Sequence, residues 1–120
     1  MKTSYDEAAE SVNDAALALT RSHPEAMRGF KALGAATYAD GALTRKTKEL
    51  IALALSVGAR CDGCVAYHAR RASELGIPRA EVVEALGIAL QMGGGPSMVY
   101  GGEALQAFDS FEAKAKAAAA

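Results

Sequence analysis

At 120 residues, with 51% hydrophobic and 22% charged residues, the chain fits one compact domain with a packed core, and disorder is not expected. Its formal net charge is −1, and basic residues are scattered among acidic ones, which argues against nucleic acid as a partner. No apolar run approaches the length of a membrane span and no signal-peptide pattern opens the chain, so we expect a cytoplasmic protein with no membrane partner.

Apolar residues recur at helical spacing from the first segment onward, and no segment alternates as strands do. The first helix is predicted to follow a capping box at residues 4–7. The second begins around Pro24 and ends near Asp40. Thr44 is expected to cap a third helix, and because residues 50–57 are apolar on nearly all sides, this helix is predicted to be buried all round.

A fourth helix is predicted to begin in the segment 61–68 and to end before Gly76, a residue suited to the position just past a helix. The glycines at 93–95 stop a fifth helix. A last helix fades into an alanine-rich tail at residues 113–120. The sequence therefore predicts an all-α fold of about six helices in a single domain, residues 1–120.

The size of the chain also bears on assembly. A domain this small buries only about 60–70% of its surface on folding. Residues 92–102 are only weakly polar, so they are poorly suited to full exposure. We therefore expect subunits to cover one another in a homo-oligomer.

The segment 61–68 holds both cysteines of the protein, Cys61 and Cys64, together with His68. On a helix these three side chains share one face. A disulfide between the cysteines would close too small a loop to constrain the unfolded chain much, so its value would be chemical. Free N–H groups at the start of a helix favour a thiolate, and His68 can take a proton from Cys64.

Glu49 is the acidic residue of a largely apolar stripe that includes Leu53 and Ser56. A carboxylate there must be desolvated, paired or protonated, and it could exchange protons with the cysteine segment. The alternative is a helix-surface pair with Arg45 or Lys46, which is worth only tenths of a kcal/mol, about 0.2–0.5.

Two further interpretations of the cysteines stay open. Cys61, Cys64 and His68 supply three zinc ligands, with Glu49 or His23 as a fourth, although no second cysteine pair exists. The cysteines could also be inert core residues.

The register of Glu49, Cys61-x-x-Cys64 and His68 resembles the motif of the carboxymuconolactone decarboxylase / alkylhydroperoxidase D-like family. The resemblance covers residues 44–102. It implies an all-helical fold assembled as trimers or hexamers, with the site near a subunit interface, and it implies thiol-dependent peroxide reduction without a cofactor.

By the same resemblance, Cys64 attacks an organic hydroperoxide and Cys61 resolves the product as a disulfide. His68 and Glu49 would activate Cys64 through a water, and a dithiol donor, such as a lipoyl group on a partner protein, would reduce the disulfide. Position alone favours Cys61, which has the better claim to the helix dipole. The chain departs from the motif at Gly63, where some peroxidase members carry a histidine.

Two other functions remain as alternatives. A decarboxylase acting on a carboxymuconolactone-type lactone would keep the fold but has no evident need for a dithiol. A non-enzymatic oligomer that senses redox state or binds zinc would use the cysteines without turnover.

Overall fold

The computed structural model describes residues 4–119; residues 1–3 and residue 120, the end of the predicted tail, lie outside it. Within the described range the chain forms six helices and no strand, which confirms the predicted all-α fold. The helices are α1 (Tyr5–Ser22), α2 (Pro24–Tyr38), α3 (Arg45–Gly58), α4 (Asp62–Glu74), α5 (Arg79–Gly93) and α6 (Gly95–Ala119).

Side-chain caps determine where helices begin. Ser4 Oγ accepts a hydrogen bond from the backbone N–H of Glu7 at 3.1 Å, and Thr44 Oγ1 accepts one from Thr47 at 3.2 Å. Each cap satisfies a backbone donor that the helix leaves free, which stabilises the helix by about 1 kcal/mol. Between α5 and α6 the chain turns at Gly94, whose φ of 68° lies in the left-handed region that favours glycine.

The core is built around α4, which packs against α1, α3 and α6. Many of the buried side chains on α4 and α6 are alanines, which allow neighbouring helices to approach closely. The space between the helices is filled by larger side chains that are fully buried: Phe108, Leu53, Val65, Val82 and Ile77.

Helix α3 is less buried than its sequence predicts. Within a single chain the expectation that it is covered all round is wrong, because Ile51 and Leu55 are 44% and 67% exposed. The α4, α5 and α6 helices pack against α3 on one face, and α2 touches it only slightly, so a single chain has too few elements to cover the other side. The buried face of α3 consists of Glu49, Leu53, Ser56 and Val57.

Helix α2 stands at the edge of the molecule. It packs mainly against α1 and has no buried residue along its length. Its apolar side chains Phe30 and Leu33 are 68% and 59% exposed. No helix of the described chain has the length and apolarity needed to cross a membrane.

Candidate active site at the start of helix α4

The two cysteines lie at the N-terminus of α4, where a disulfide bond joins them, with 5.2 Å between their Cα atoms. Cys61 is the N-cap residue, and its Sγ accepts a hydrogen bond from the backbone N–H of Cys64 at 3.2 Å. The N–H of Cys61 donates to the carbonyl oxygen of Ser56 in α3 at 3.2 Å. Both sulfur atoms therefore lie where a helix favours negative charge.

Glu49 and His68 form the second part of the site. Glu49 comes from the buried face of α3, is only 2% exposed, and pairs through Oε1 with Nδ1 of His68 on α4. A buried carboxylate requires such a partner, since burial removes its solvation by water. The alternative of a surface pair with Arg45 or Lys46 is therefore wrong. With Nδ1 engaged, Nε2 is the ring nitrogen that remains for proton exchange.

Aromatic side chains surround the His68 imidazole. Tyr67 contacts it edge-on, with the ring centroids 5.1 Å apart, and Tyr38 at the end of α2 stacks on it at 6.3 Å. The Cζ atom of Arg45 lies 5.9 Å from the centroid of the Tyr38 ring, as in a cation–π contact. Burial, followed by the negative charge of Glu49, raises the pKa of Tyr38, so its hydroxyl stays protonated at neutral pH.

The sequence does not single out Tyr38 as part of the site, because no spacing rule connects the end of α2 with α4. Arg45 carries a weak signal, since it precedes Glu49 by four residues and so shares its face of α3. A cation in the first turn of a helix opposes the helix dipole, at a cost of about 0.3–1 kcal/mol. The stability of α3 therefore does not explain why an arginine lies at position 45.

A cavity of about 970 Å³ opens between α1, α2 and the start of α4. Cys64 and His68 line it, and Cys61 does not. The cavity is therefore a route by which a small molecule reaches one cysteine and the histidine. Much of the remaining wall is apolar and includes Leu17, Met27, Phe30 and Leu33.

On the other side of the disulfide, Asp62 links the start of α4 to α6. Its hydrogen bond to Tyr100, together with its negative charge, raises the pKa of the Tyr100 phenol. This contact ties the loop that carries Cys61 to a second helix.

Within residues 4–119, no group of three or more His, Cys, Asp or Glu side chains is placed to hold a metal ion. The described residues therefore do not support the zinc hypothesis. The cysteines that would supply two ligands are joined to each other.

Comparison with known proteins connects this geometry with a family. The model of the carboxymuconolactone decarboxylase family matches residues 24–118. The chain belongs to this family. A carboxymuconolactone decarboxylase family protein from Legionella pneumophila has a crystal structure similar to this one, with a TM-score of 0.87 and 42% identity, over 90% of this chain and 96% of that chain.

Two further proteins are similar to this chain. A family protein from Thermotoga maritima, suggested to take part in an antioxidative response, matches with a TM-score of 0.78 and 32% identity, over 95% of this chain and 94% of that chain. An uncharacterised protein from Cupriavidus necator is 41% identical over 96 residues, which are 80% of this chain and 85% of that protein.

Gly63 lies between the two cysteines, in the first turn of α4. A Cβ atom at Gly63 would lie 2.9 Å from Cγ2 of Val12 on α1, closer than carbon atoms pack. Valine is stiff at χ1, so it cannot easily turn away. A side chain at position 63 would therefore require Val12 or helix α1 to move.

We expect Gly63→Ala to destabilise the protein by about 1–3 kcal/mol, because the added methyl group overpacks the α1–α4 contact. Val12→Ala should recover much of this loss in the double variant. Gly87→Ala is the matched control: this helical glycine of α5 has open space around its Cβ position, so the change should be neutral or stabilise by up to about 1 kcal/mol. Urea unfolding measures these three variants against the wild-type protein, and equal effects at positions 63 and 87 would contradict the packing argument.

Proposed function

We propose that this protein is a thiol-dependent alkyl hydroperoxide reductase of the carboxymuconolactone decarboxylase family. The observation that carries the proposal is that Cys64 and His68 line one cavity while the buried Glu49 holds the His68 ring. A nucleophile, a base and a group that orients the base are the parts that activation of a thiol requires. The antioxidative role suggested for the Thermotoga maritima relative agrees with this chemistry.

The reaction that we propose begins with the reduced dithiol. The Cys64 thiolate attacks the terminal oxygen of a hydroperoxide, the O–O bond breaks, and the alkoxide takes a proton and leaves as an alcohol. Cys64 is thereby oxidised to a sulfenic acid. The Cys61 thiolate then attacks the Cys64 sulfur, hydroxide leaves and is protonated to water, and the disulfide forms. A dithiol donor restores both thiols by exchange and becomes a disulfide itself.

His68 would move the protons in this scheme. Its Nδ1 is occupied by Glu49, so Nε2 would take the proton of the Cys64 thiol, directly or through a water, and return it to the departing alkoxide. Glu49 would orient the ring and stabilise the imidazolium form between the two steps. Because Glu49 is buried, its charge acts with little screening by water.

The roles of the two cysteines follow from access. Cys64 lines the cavity and lies one helical turn before His68, which supports it as the attacking thiol. Cys61 lies at the cap, where the N–H of Cys64 points at its sulfur and would stabilise a Cys61 thiolate. This position suits the second nucleophile, which must be ionised to close the disulfide. We place the reaction in the cytoplasm, where dithiol reductants such as lipoyl groups act.

Exposed apolar side chains support a homo-oligomer as a further part of the proposal. On α3, Leu55 is 67% exposed, and around the end of α5 Ile88 and Met92 are 66% and 79% exposed. Large apolar side chains that are this exposed are common at protein interfaces. We propose that these faces are covered by further copies of the chain in a trimer or a hexamer.

Substitution of the cysteines tests the assignment. Cys64→Ser should abolish hydroperoxide consumption, because the attacking thiol is lost. Cys61→Ser should stop after one turnover and leave a sulfenic acid on Cys64 that dimedone traps, as mass spectrometry of the labelled peptide would show. The reverse pattern would reverse the roles.

The imidazole is tested by His68→Ala, which should lower the rate of peroxide consumption by a factor of about 10²–10⁴. His23→Ala removes the other histidine, which caps α2 at an exposed position, and should leave the rate unchanged.

Turnover that persists in the Cys61→Ser/Cys64→Ser double variant with a carboxymuconolactone-type substrate would instead favour the decarboxylase alternative.

Assembly is tested by multi-angle light scattering. At micromolar concentration we expect the mass of a trimer or a hexamer. Leu55→Asp should shift the protein towards smaller species if the exposed face of α3 lies in an interface, since a buried unpaired charge is costly. A monomeric mass for the wild-type protein would contradict this part of the proposal.

A further inference from the structure

The cavity that leads to Cys64 is not uniformly apolar, because Arg45 lines it as well. The Nε atom of Arg45 is shielded from solvent and has no hydrogen-bond partner among the described residues. The guanidinium group lies over the ring of Tyr38, and that ring also stacks on His68. A cation therefore lies beside the candidate site without a carboxylate bonded to it in the described chain.

The acidic residue of the cavity wall does not neutralise this cation through a side-chain pair among the described residues. Asp40 also lines the cavity, but its Oδ1 accepts a hydrogen bond from the backbone N–H of Arg45, at 2.6 Å. Lys31 adds a second positive charge to the cavity wall. The formal charges along the wall thus sum to a positive value, with two basic side chains against one acidic one.

The rest of the wall fits a hydrocarbon chain. Leu17 of α1 and Met27, Phe30 and Leu33 of α2 present apolar surface to the cavity. A volume of about 970 Å³ lies at the upper end of the range typical of small-molecule sites, about 300–1,000 Å³, so an extended organic molecule has room.

We propose that the cavity binds an amphipathic anion, with Arg45 holding a carboxylate group and the α1–α2 wall holding an apolar chain. This inference rests on the proposed function in one respect: the substrate would be an organic hydroperoxide that carries a carboxylate, such as a fatty-acid hydroperoxide. The planar guanidinium group matches a carboxylate in two parallel hydrogen bonds, which orients the chain as well as binding it. The peroxide would then be presented to Cys64.

Binding can be measured without turnover, on the full chain in its disulfide form. The probes are octanoate and octan-1-ol, which share a chain and differ in charge. By titration calorimetry we expect octanoate to bind wild-type protein at least about tenfold more tightly than octan-1-ol. Arg45→Gln should reduce this preference to within about twofold. The matched control Lys46→Gln removes the same charge from the next residue, which is exposed and does not line the cavity, and should keep the preference.

Equal affinities of wild-type protein for octanoate and octan-1-ol would overturn the inference. An equal loss of the preference for octanoate in Arg45→Gln and Lys46→Gln would also overturn it, because the preference would then come from the net charge of the protein. Because a cation at the start of a helix opposes the helix dipole, we expect Arg45→Gln to leave helix α3 intact.

Turnover separates this inference from the proposed function. With linoleic acid hydroperoxide and its methyl ester, the ratio of kcat/KM for acid over ester should exceed about ten in wild-type protein and fall about tenfold in Arg45→Gln. Turnover of both substrates at equal rates, unchanged in the variant, would refute the anion site and leave the peroxidase function standing. Binding that depends on Arg45 without turnover of either would refute the peroxidase function and leave the anion site standing.

Discussion

The arrangement of this site depends on one interaction, the pairing of the buried Glu49 carboxylate with Nδ1 of His68. It joins α3 to α4, and it is the reason that a carboxylate is tolerated on the buried face of α3. Removal of one partner from such a buried pair typically costs about 3–5 kcal/mol, because the other is left without compensation. The pair therefore fixes the imidazole in one orientation, on the face of α4 that also carries Cys64. Nε2 is the ring nitrogen that Glu49 does not engage.

Two asymmetries follow from this arrangement. The cavity reaches Cys64 and His68, whereas Cys61 lies at the helix cap, near the contact between Asp62 and α6. The α1–α2 wall is thinly packed, and α2 buries no residue of its own. The disulfide thus lies between the packed core and a cavity whose wall combines apolar side chains with Arg45 and Lys31.

The sequence predicts much of the fold, because local rules govern it. The caps at Ser4 and Thr44 and the left-handed residue Gly76 lie where propensity places them. Helical spacing also predicts that Cys64 and His68 share a face. Periodicity cannot say which element covers an apolar face, so α3 was expected to be buried although Leu55 is exposed.

The parts of the site that the sequence does not predict come from tertiary packing. Tyr38 reaches His68 only because α2 ends beside α4, and no residue pattern records that meeting. Arg45 is one basic residue among several at the start of α3, and only the cavity distinguishes it from Lys46. The close approach of Val12 to Gly63 likewise depends on where α1 lies.

The central claim is that the Glu49–His68 pair activates Cys64 in preference to Cys61. The most direct test is the rate of iodoacetamide alkylation of each cysteine in the reduced protein at neutral pH, resolved by peptide mass spectrometry. We expect Cys64 to react at least about tenfold faster than Cys61, and Glu49→Gln to remove this advantage. Faster reaction of Cys61, or an advantage of Cys64 that survives Glu49→Gln unchanged, would contradict it.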